Sequence, residues 1–138
     1  MGCGAGMDKE KIGQILQTAG ITDYKWLNPR EDIMTAQWVR FKCMFGCDDY
    51  GKFGSCPPAV PSIDECRKMI DGYEHAVMIH FKLQSQTKGE KHKLMAGLLG
   101  LERDIFLAGY YKAFLLPHSS CLAHPPGRGI ILTTTIIT

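Results

Sequence analysis

The sequence lacks the features that direct a chain to a membrane or out of the cell. No apolar run approaches the ~18 residues that a membrane helix needs. The N-terminus has no basic segment followed by an apolar one, which is the layout of a signal peptide. A net charge of +2 is small for a nucleic-acid-binding domain, which concentrates a large basic excess on one face. We therefore expect a cytoplasmic protein that binds neither membranes nor nucleic acid.

Arrangements typical of several enzyme classes are also missing. No two carboxylates are placed for acid–base catalysis, and Ser119 and Ser120 lack the flanking glycines of a nucleophile elbow. The chain has 138 residues, 45% of them hydrophobic and 22% charged, which allows one ordinary globular domain. The sequence leaves open whether the protein is an enzyme.

Cysteine, by contrast, is plentiful and clustered. Cys43, Cys47 and Cys56 fall within fourteen residues, in a stretch that also contains glycines and prolines. Thiolates must converge to within about 2.3 Å of a metal, and glycine lets the chain turn tightly enough for that. In a reducing compartment clustered cysteines are more often metal ligands than disulfides. We predict that these three bind a metal; packed or redox-active thiols are the alternative.

The spacing bears on which metal is bound and on the fourth ligand. Zinc sites usually have close cysteine pairs at both ends, whereas one close pair and a third cysteine suit a 4Fe–4S cluster better. Zinc remains the alternative. Cys121 is the first candidate for the fourth ligand, followed by His124. Cys66 is expected to pack inside a helix, and Cys3 lies in a leader of small residues.

Hydrophobic periodicity and capping signals predict a fold of the α/β or α+β class, a small sheet with packed helices. Ser62 and Glu65 form a capping-box signature, and the apolar strand that follows is suited to a central position. The loop from Cys43 to Pro61 shows no periodicity, and the stretch 21–33 is expected to be irregular. The predicted elements are a helix over Lys9–Thr18, a strand over Thr35–Lys42, a helix from Ser62 to Asp71, a strand over His75–Leu83 and a helix over Lys88–Phe114.

Three segments are expected along the chain. Residues 1–7 form a flexible leader, residues 8–114 a single metal-binding domain, and residues 115–138 an atypical C-terminal tail outside the core. The Ile/Thr-rich end of the tail has strand propensity, so it would either add an edge strand or promote association of chains. We therefore also expect a homo-oligomer.

Two motifs resemble a widespread, functionally uncharacterised prokaryotic family of predicted metal-binding proteins. The first runs from Val39 through Cys43, Cys47 and Tyr50-Gly51 to Cys56-Pro57-Pro58 and Pro61; the second is the segment Leu101–Phe114. The family continues with a second cysteine group that ends near a His-Pro, which Cys121 and His124-Pro125 partly match. The resemblance implies metal binding but no reaction.

Three functions follow as hypotheses. The first is a cysteine-ligated iron–sulfur protein that passes electrons to a protein redox partner. The second is a structural zinc module, in which the metal holds the long loop together. The third is an enzyme that depends on thiols or on a metal. An absorption spectrum of the anaerobically purified protein, with metal analysis, separates the first two hypotheses.

Overall fold

The computed structural model describes residues 7–54, 56–82, 88–116 and 131–137. These residues form an α+β fold in which helices pack on an antiparallel sheet, as the sequence predicts. The elements are α1 (Lys9–Thr18), β1 (Tyr24–Leu27), α2 (Pro29–Asp32), α3 (Trp38–Gly46), α4 (Ile63–Asp71), β2 (Ala76–Lys82), α5 (Lys88–Leu107), β3 (Phe114–Leu116) and β4 (Ile131–Ile137).

The sheet has the strand order β1-β2-β4-β3, and every neighbouring pair is antiparallel. β2 lies between β1 and β4, which confirms the predicted central strand at this position. Val77 and Ile79 on β2 are fully buried, and the register places Tyr24 of β1 opposite Ile79. Alternation along β2 therefore turns one side of the strand toward the core.

One hydrophobic core joins α1, β2, α5 and β3. Ile12 and Leu16 of α1, which lie four residues apart on one helical face, are fully buried. The other members come from the strands and from one face of α5. The buried cluster consists of Ile12, Leu16, Val77, Ile79, Leu98, Leu101, Ile105 and Leu115. This core does not include α3 or α4, so the cysteine-bearing segment is not part of it.

The predicted helix starts are explained by their caps. Asp8 caps α1 by accepting hydrogen bonds from the amides of Glu10 and Lys11. Ser62 and Glu65 form the complete capping box of α4. The amide and the hydroxyl of Ser62 both donate hydrogen bonds to the Glu65 carboxylate. The hydrogen bond from the Ser62 amide is the main cause of the lowered pKa of Glu65. These bonds satisfy amides that the helix itself leaves unpaired.

The predicted strand over Thr35–Lys42 is wrong, because α3 occupies Trp38–Gly46. Alternation over so short a stretch also fits a helical period, since Trp38, Phe41 and Phe45 fall on one helical face. The expectation of irregular chain over 21–33 is also wrong. That stretch contains β1 and α2, and Asn28-Pro29 starts α2: the Asn28 side chain caps it and the proline takes a first-turn position.

The last long helix ends earlier than predicted, at Leu107 rather than Phe114. Gly109 has a φ of +110°, a conformation that residues with a side chain rarely adopt. The Tyr110 amide donates to the Ile105 carbonyl at 3.4 Å, and the Gly109 amide donates to Phe106 at 3.0 Å. This pairing is the Schellman arrangement that ends many helices.

The expectation that the chain from Leu115 onward lies outside the core is wrong for the described residues. Leu115 is 4% exposed and belongs to the core, and its amide donates to the Glu102 carboxylate at 2.5 Å. Residues 131–137 form β4, which pairs along its length with β2 and also with β3. The terminal Ile/Thr segment is thus an inner strand that lies between β2 and β3, not the edge strand that was expected.

Candidate metal centre

Helix α3 positions the first two predicted ligands. Cys43 lies inside the helix, and Cys47 is its C-terminal cap, with extended backbone angles. Residues four apart on a helix lie on the same face, with Cβ atoms about 5–6 Å apart. The helix that replaced the predicted strand therefore brings Cys43 and Cys47 to one side of α3, at the point where the loop begins.

The third predicted ligand, Cys56, lies in a series of turns. Its amide donates to the Phe53 carbonyl at 3.0 Å, and its own carbonyl accepts from Ala59 at 3.0 Å. The peptide bond between Pro57 and Pro58 is cis. These features direct the chain away from Cys56 and toward the start of α4.

A guanidinium group connects α3 with the end of the loop. Arg40 Nη2 donates to the carbonyl oxygen of Pro61 at 2.5 Å and lies 4.0 Å from the sulfur of Cys66. Arg40 precedes Cys43 by three residues, so both side chains leave the same region of the helix surface. We call this contact the Arg40 clamp. It closes the loop that contains Cys47 and Cys56, and no local sequence pattern predicts it.

Cys66 was expected to pack inside a helix; it does lie in α4, but its side chain is not part of the hydrophobic core. It is half-buried in α4, outside the hydrophobic cluster. Its sulfur lies 3.9 Å from the Pro61 carbonyl, to which the thiol donates, in addition to the contact with Arg40. The surroundings of Cys66 are therefore partly polar.

A second arginine holds α4 in place. Arg67 donates to the carbonyl of Pro29 at 3.2 Å and to that of Ile33, and it pairs with Asp71 at 2.7 Å. Arg30 donates from Nε to the Asp71 carbonyl at 2.9 Å. Several bonds to backbone oxygens fix α4 against α2 more firmly than an isolated surface ion pair would. This framework determines where Cys66 lies.

Helix α3 itself contributes no buried residue. Its aromatic side chains are exposed, Phe45 by 79% and Trp38 by 59%. Phe41 and Phe45 stack with ring centroids 6.1 Å apart, and the ammonium of Lys42 lies 4.8 Å from the Trp38 ring centre. Together with Gly46 these residues line a shallow groove of about 550 Å³. We call this surface the α3 aromatic face.

The donor chemistry of the segment fits a metal, but the structure does not gather the donors. Cys43, Cys47, Cys56 and Cys66 are all free thiols, and each is half-buried. Within the described ranges, no three side chains of His, Cys, Asp or Glu are close enough together to hold a metal ion. The ligand set therefore stays a prediction. Three further sequence candidates, Cys3, Cys121 and His124, lie outside the described residues, as does the leader over 1–6.

Two other groups in the described part of the chain, His80 and Tyr73, interact with nearby carboxylates. His80 pairs with Asp23 at the edge of β2 beside β1, and the Asp23 carboxylate is 71% exposed. Burial raises the pKa of Tyr73, and the carboxylate of Glu102 adds to the effect. Neither His80 nor Tyr73 lies within the cysteine-bearing segment of the sequence. We therefore interpret their contacts as contributions to the fold and not to the candidate metal site.

The predicted family is confirmed. Over residues 25–123 the chain matches the family described as predicted metal-binding protein (DUF2284), and it belongs to that family. The match includes α3, the loop and α4, together with the helix of the second motif. No curated protein and no solved structure matches the chain significantly. None of the described helices combines the length and the hydrophobicity of a membrane span.

Proposed function

We propose that this chain is a cytoplasmic iron–sulfur protein in which Cys43, Cys47 and Cys56 ligate a 4Fe–4S cluster. The observation that carries the proposal is the placement of Cys43 and Cys47 on one side of α3, with Cys56 on the loop that the Arg40 clamp returns to α3. Membership of a predicted metal-binding family supports metal binding in general. The preference for iron–sulfur rests on cysteine spacing, with one close pair and a third thiolate.

The thiols would converge when the metal binds. Metal binding commonly orders the chain around the ligands, because a preformed site rarely exists before the metal binds. Each thiol releases a proton to solvent as it becomes a ligand. The loop contains few buried side chains, so it has little packing to oppose this movement. The backbone amides of its turns would remain available as hydrogen-bond donors to sulfur, which tunes the cluster potential.

The role that we propose for the cluster is electron transfer to a protein partner. The α3 aromatic face lies on the same helix as Cys43 and is exposed. Exposed apolar surface of this kind marks protein–protein contacts more often than chance. Docking there would bring the partner next to the cluster.

A structural zinc site is the second candidate, and one observation favours it. Helix α3 has no buried residue, so a metal that joined α3 to the loop would supply the attachment that packing does not. In that case the metal has no redox role and the protein is colourless.

Anaerobic purification followed by absorption spectroscopy and analysis of iron, sulfide and zinc tests the proposal. An iron–sulfur protein is brown, absorbs broadly in the visible range and contains iron and sulfide in equal amounts. Stoichiometric zinc in a colourless protein would support the structural module instead. Protein that retains neither metal, and that binds neither on reconstitution, would overturn both candidates.

A further inference from the structure

We propose that the α3 aromatic face binds an amphipathic helix of a protein partner, and that this helix carries a carboxylate that pairs with Lys42. The inference rests on the docking step of the proposed function and names the kind of partner. It begins from the exposure of α3. This helix of nine residues has no buried residue, and its aromatic side chains Trp38, Phe41 and Phe45 are all exposed. Clustered aromatic side chains on a surface are typical of the places where proteins bind one another.

The groove on this face has the shape that receives a second helix. Trp38, Lys42 and Gly46 follow one another at intervals of four residues and form one ridge along α3, and Phe41 and Phe45 form the next ridge. Helices pack by placing a ridge of one helix in the groove between two ridges of the other. Apart from its chain neighbours, no described side chain lies within 4 Å of the position that a Cβ of Gly46 would take. The groove is therefore open at the C-terminal end of α3.

Lys42 gives this groove a positive charge. Its ammonium lies 4.8 Å from the Trp38 ring centre, and among the residues that the structure describes no carboxylate pairs with it. Helix α3 contains Arg40 and Lys42 but no acidic residue. Of the two aspartates that follow the helix, Asp49 pairs with Lys52 at 3.5 Å. A carboxylate on the partner would pair with Lys42 while apolar side chains of the same helix cover the aromatic rings.

A second copy of this chain fits the α3 aromatic face less well. In a symmetric dimer the same surface of each copy meets at the interface. Lys42 is the middle residue of α3, so α3 packed along this groove against its own copy would bring two lysines together and supply no carboxylate. Like charges that face each other across an interface oppose association. The charge of the groove thus favours a different protein with an acidic helix.

Matched synthetic peptides and the full chain, as purified, test the inference. Two fluorescein-labelled amphipathic helical peptides share one leucine face and differ only in the residues beside it, which are glutamate in one peptide and lysine in the other. Fluorescence polarisation measures the affinity of each peptide. We expect the glutamate peptide to bind about tenfold more tightly than the lysine peptide, and to bind more weakly as salt is added, because salt screens the attraction to Lys42.

Three variants of the chain make the test specific. Lys42→Glu should reverse the preference, so that the lysine peptide binds more tightly, a gain that damage to the fold cannot produce. Phe45→Ser should weaken binding of both peptides about tenfold, and it leaves the core intact because Phe45 is 79% exposed. Lys112→Glu changes an exposed lysine outside α3 and is the matched control, so it should leave both affinities unchanged.

The outcomes also separate this inference from the proposed cluster. The inference is wrong if neither peptide binds, or if both bind equally to the original chain. It is also wrong if the original chain forms a dimer that Phe45→Ser dissociates, since the face then binds a second copy. Binding to phosphatidylglycerol vesicles that Lys42→Glu abolishes, without binding of the glutamate peptide, would show a lipid surface instead. A chain that holds no iron, sulfide or zinc but prefers the glutamate peptide would refute the cluster and keep the docking surface.

Discussion

The first prediction concerns the Arg40 clamp, which would couple closure of the loop to the proposed metal binding. Arg40→Gln removes the charged donor that bonds to the Pro61 carbonyl at 2.5 Å. A hydrogen bond from a charged group contributes about 1.5–3 kcal/mol to stability, and the half-exposed position of Arg40 favours the lower end. Without the clamp, the metal must close the loop itself. We therefore expect Zn²⁺ to bind up to about tenfold more weakly, since 1.4 kcal/mol corresponds to a factor of ten.

Competition with a chromogenic zinc chelator measures this change in affinity. Arg103→Gln is the matched control, because Arg103 is 70% exposed and pairs only with its sequence neighbour Asp104 among the partners that the structure describes. Arg40→Lys keeps the charge without the planar fork and should fall between Arg40→Gln and the original chain. Circular dichroism checks that all the variants fold. If Arg40→Gln binds Zn²⁺ as tightly as the original chain, the clamp does not organise the site.

Three further predictions concern the fold. Ile105→Ala should lower the free energy of unfolding by about 2–5 kcal/mol in urea titrations, because Ile105 is fully buried. The neighbouring Leu107→Ala, at a position that is 72% exposed, should change it by less than about 0.5 kcal/mol, and equal effects would contradict the core assignment. Because the pKa of Glu65 is lowered, its ionised carboxylate stabilises the fold at pH values above the ordinary pKa of a glutamate, and this stabilisation is lost as pH falls through the lowered pKa. Glu65→Gln should therefore remove that part of the acid sensitivity of unfolding. An unchanged dependence of stability on pH would refute this prediction. Removing residues 131–138 should abolish cooperative unfolding, whereas a stable truncated protein would show that β4 is dispensable.

Much of the fold follows from local sequence signals. The bounds of α1 and the capped start of α4 were predicted correctly because Asp8 and Ser62 supply the side-chain bonds that begin those helices. The central strand was predicted because a continuous apolar run suits a position with neighbours on both sides. In each case the interaction that decides the structure lies within a few residues of the signal.

The errors arise where local signals conflict or where distant contacts decide. Helix α3 was predicted as a strand because its short pattern fits both periods, and it has no buried face to resolve the ambiguity. The end of α5 was missed because Gly109 was included in a helical pattern, although its conformation ends the helix. The position of β4 depends on pairing with β2, which no local pattern predicts.

The candidate site, too, follows partly from local sequence signals and partly from contacts between distant residues. Clustering in sequence made Cys43, Cys47 and Cys56 candidate ligands, since the donor chemistry is visible in the residue types. The Arg40 clamp joins residues that are 21 positions apart, so no local pattern predicts it. Such a contact becomes visible only when α3 and α4 are placed together.

Metal retention by single-cysteine variants tests the central claim most directly. Cys43→Ser, Cys47→Ser and Cys56→Ser are purified anaerobically beside the original chain, and bound iron, sulfide and zinc are measured for each. Removing one thiolate from a shared site removes a soft ligand that serine cannot replace. We predict that the original chain retains stoichiometric metal and that each variant loses most of it while keeping its circular dichroism spectrum. Variants that retain metal at the level of the original chain would contradict ligation by these three cysteines.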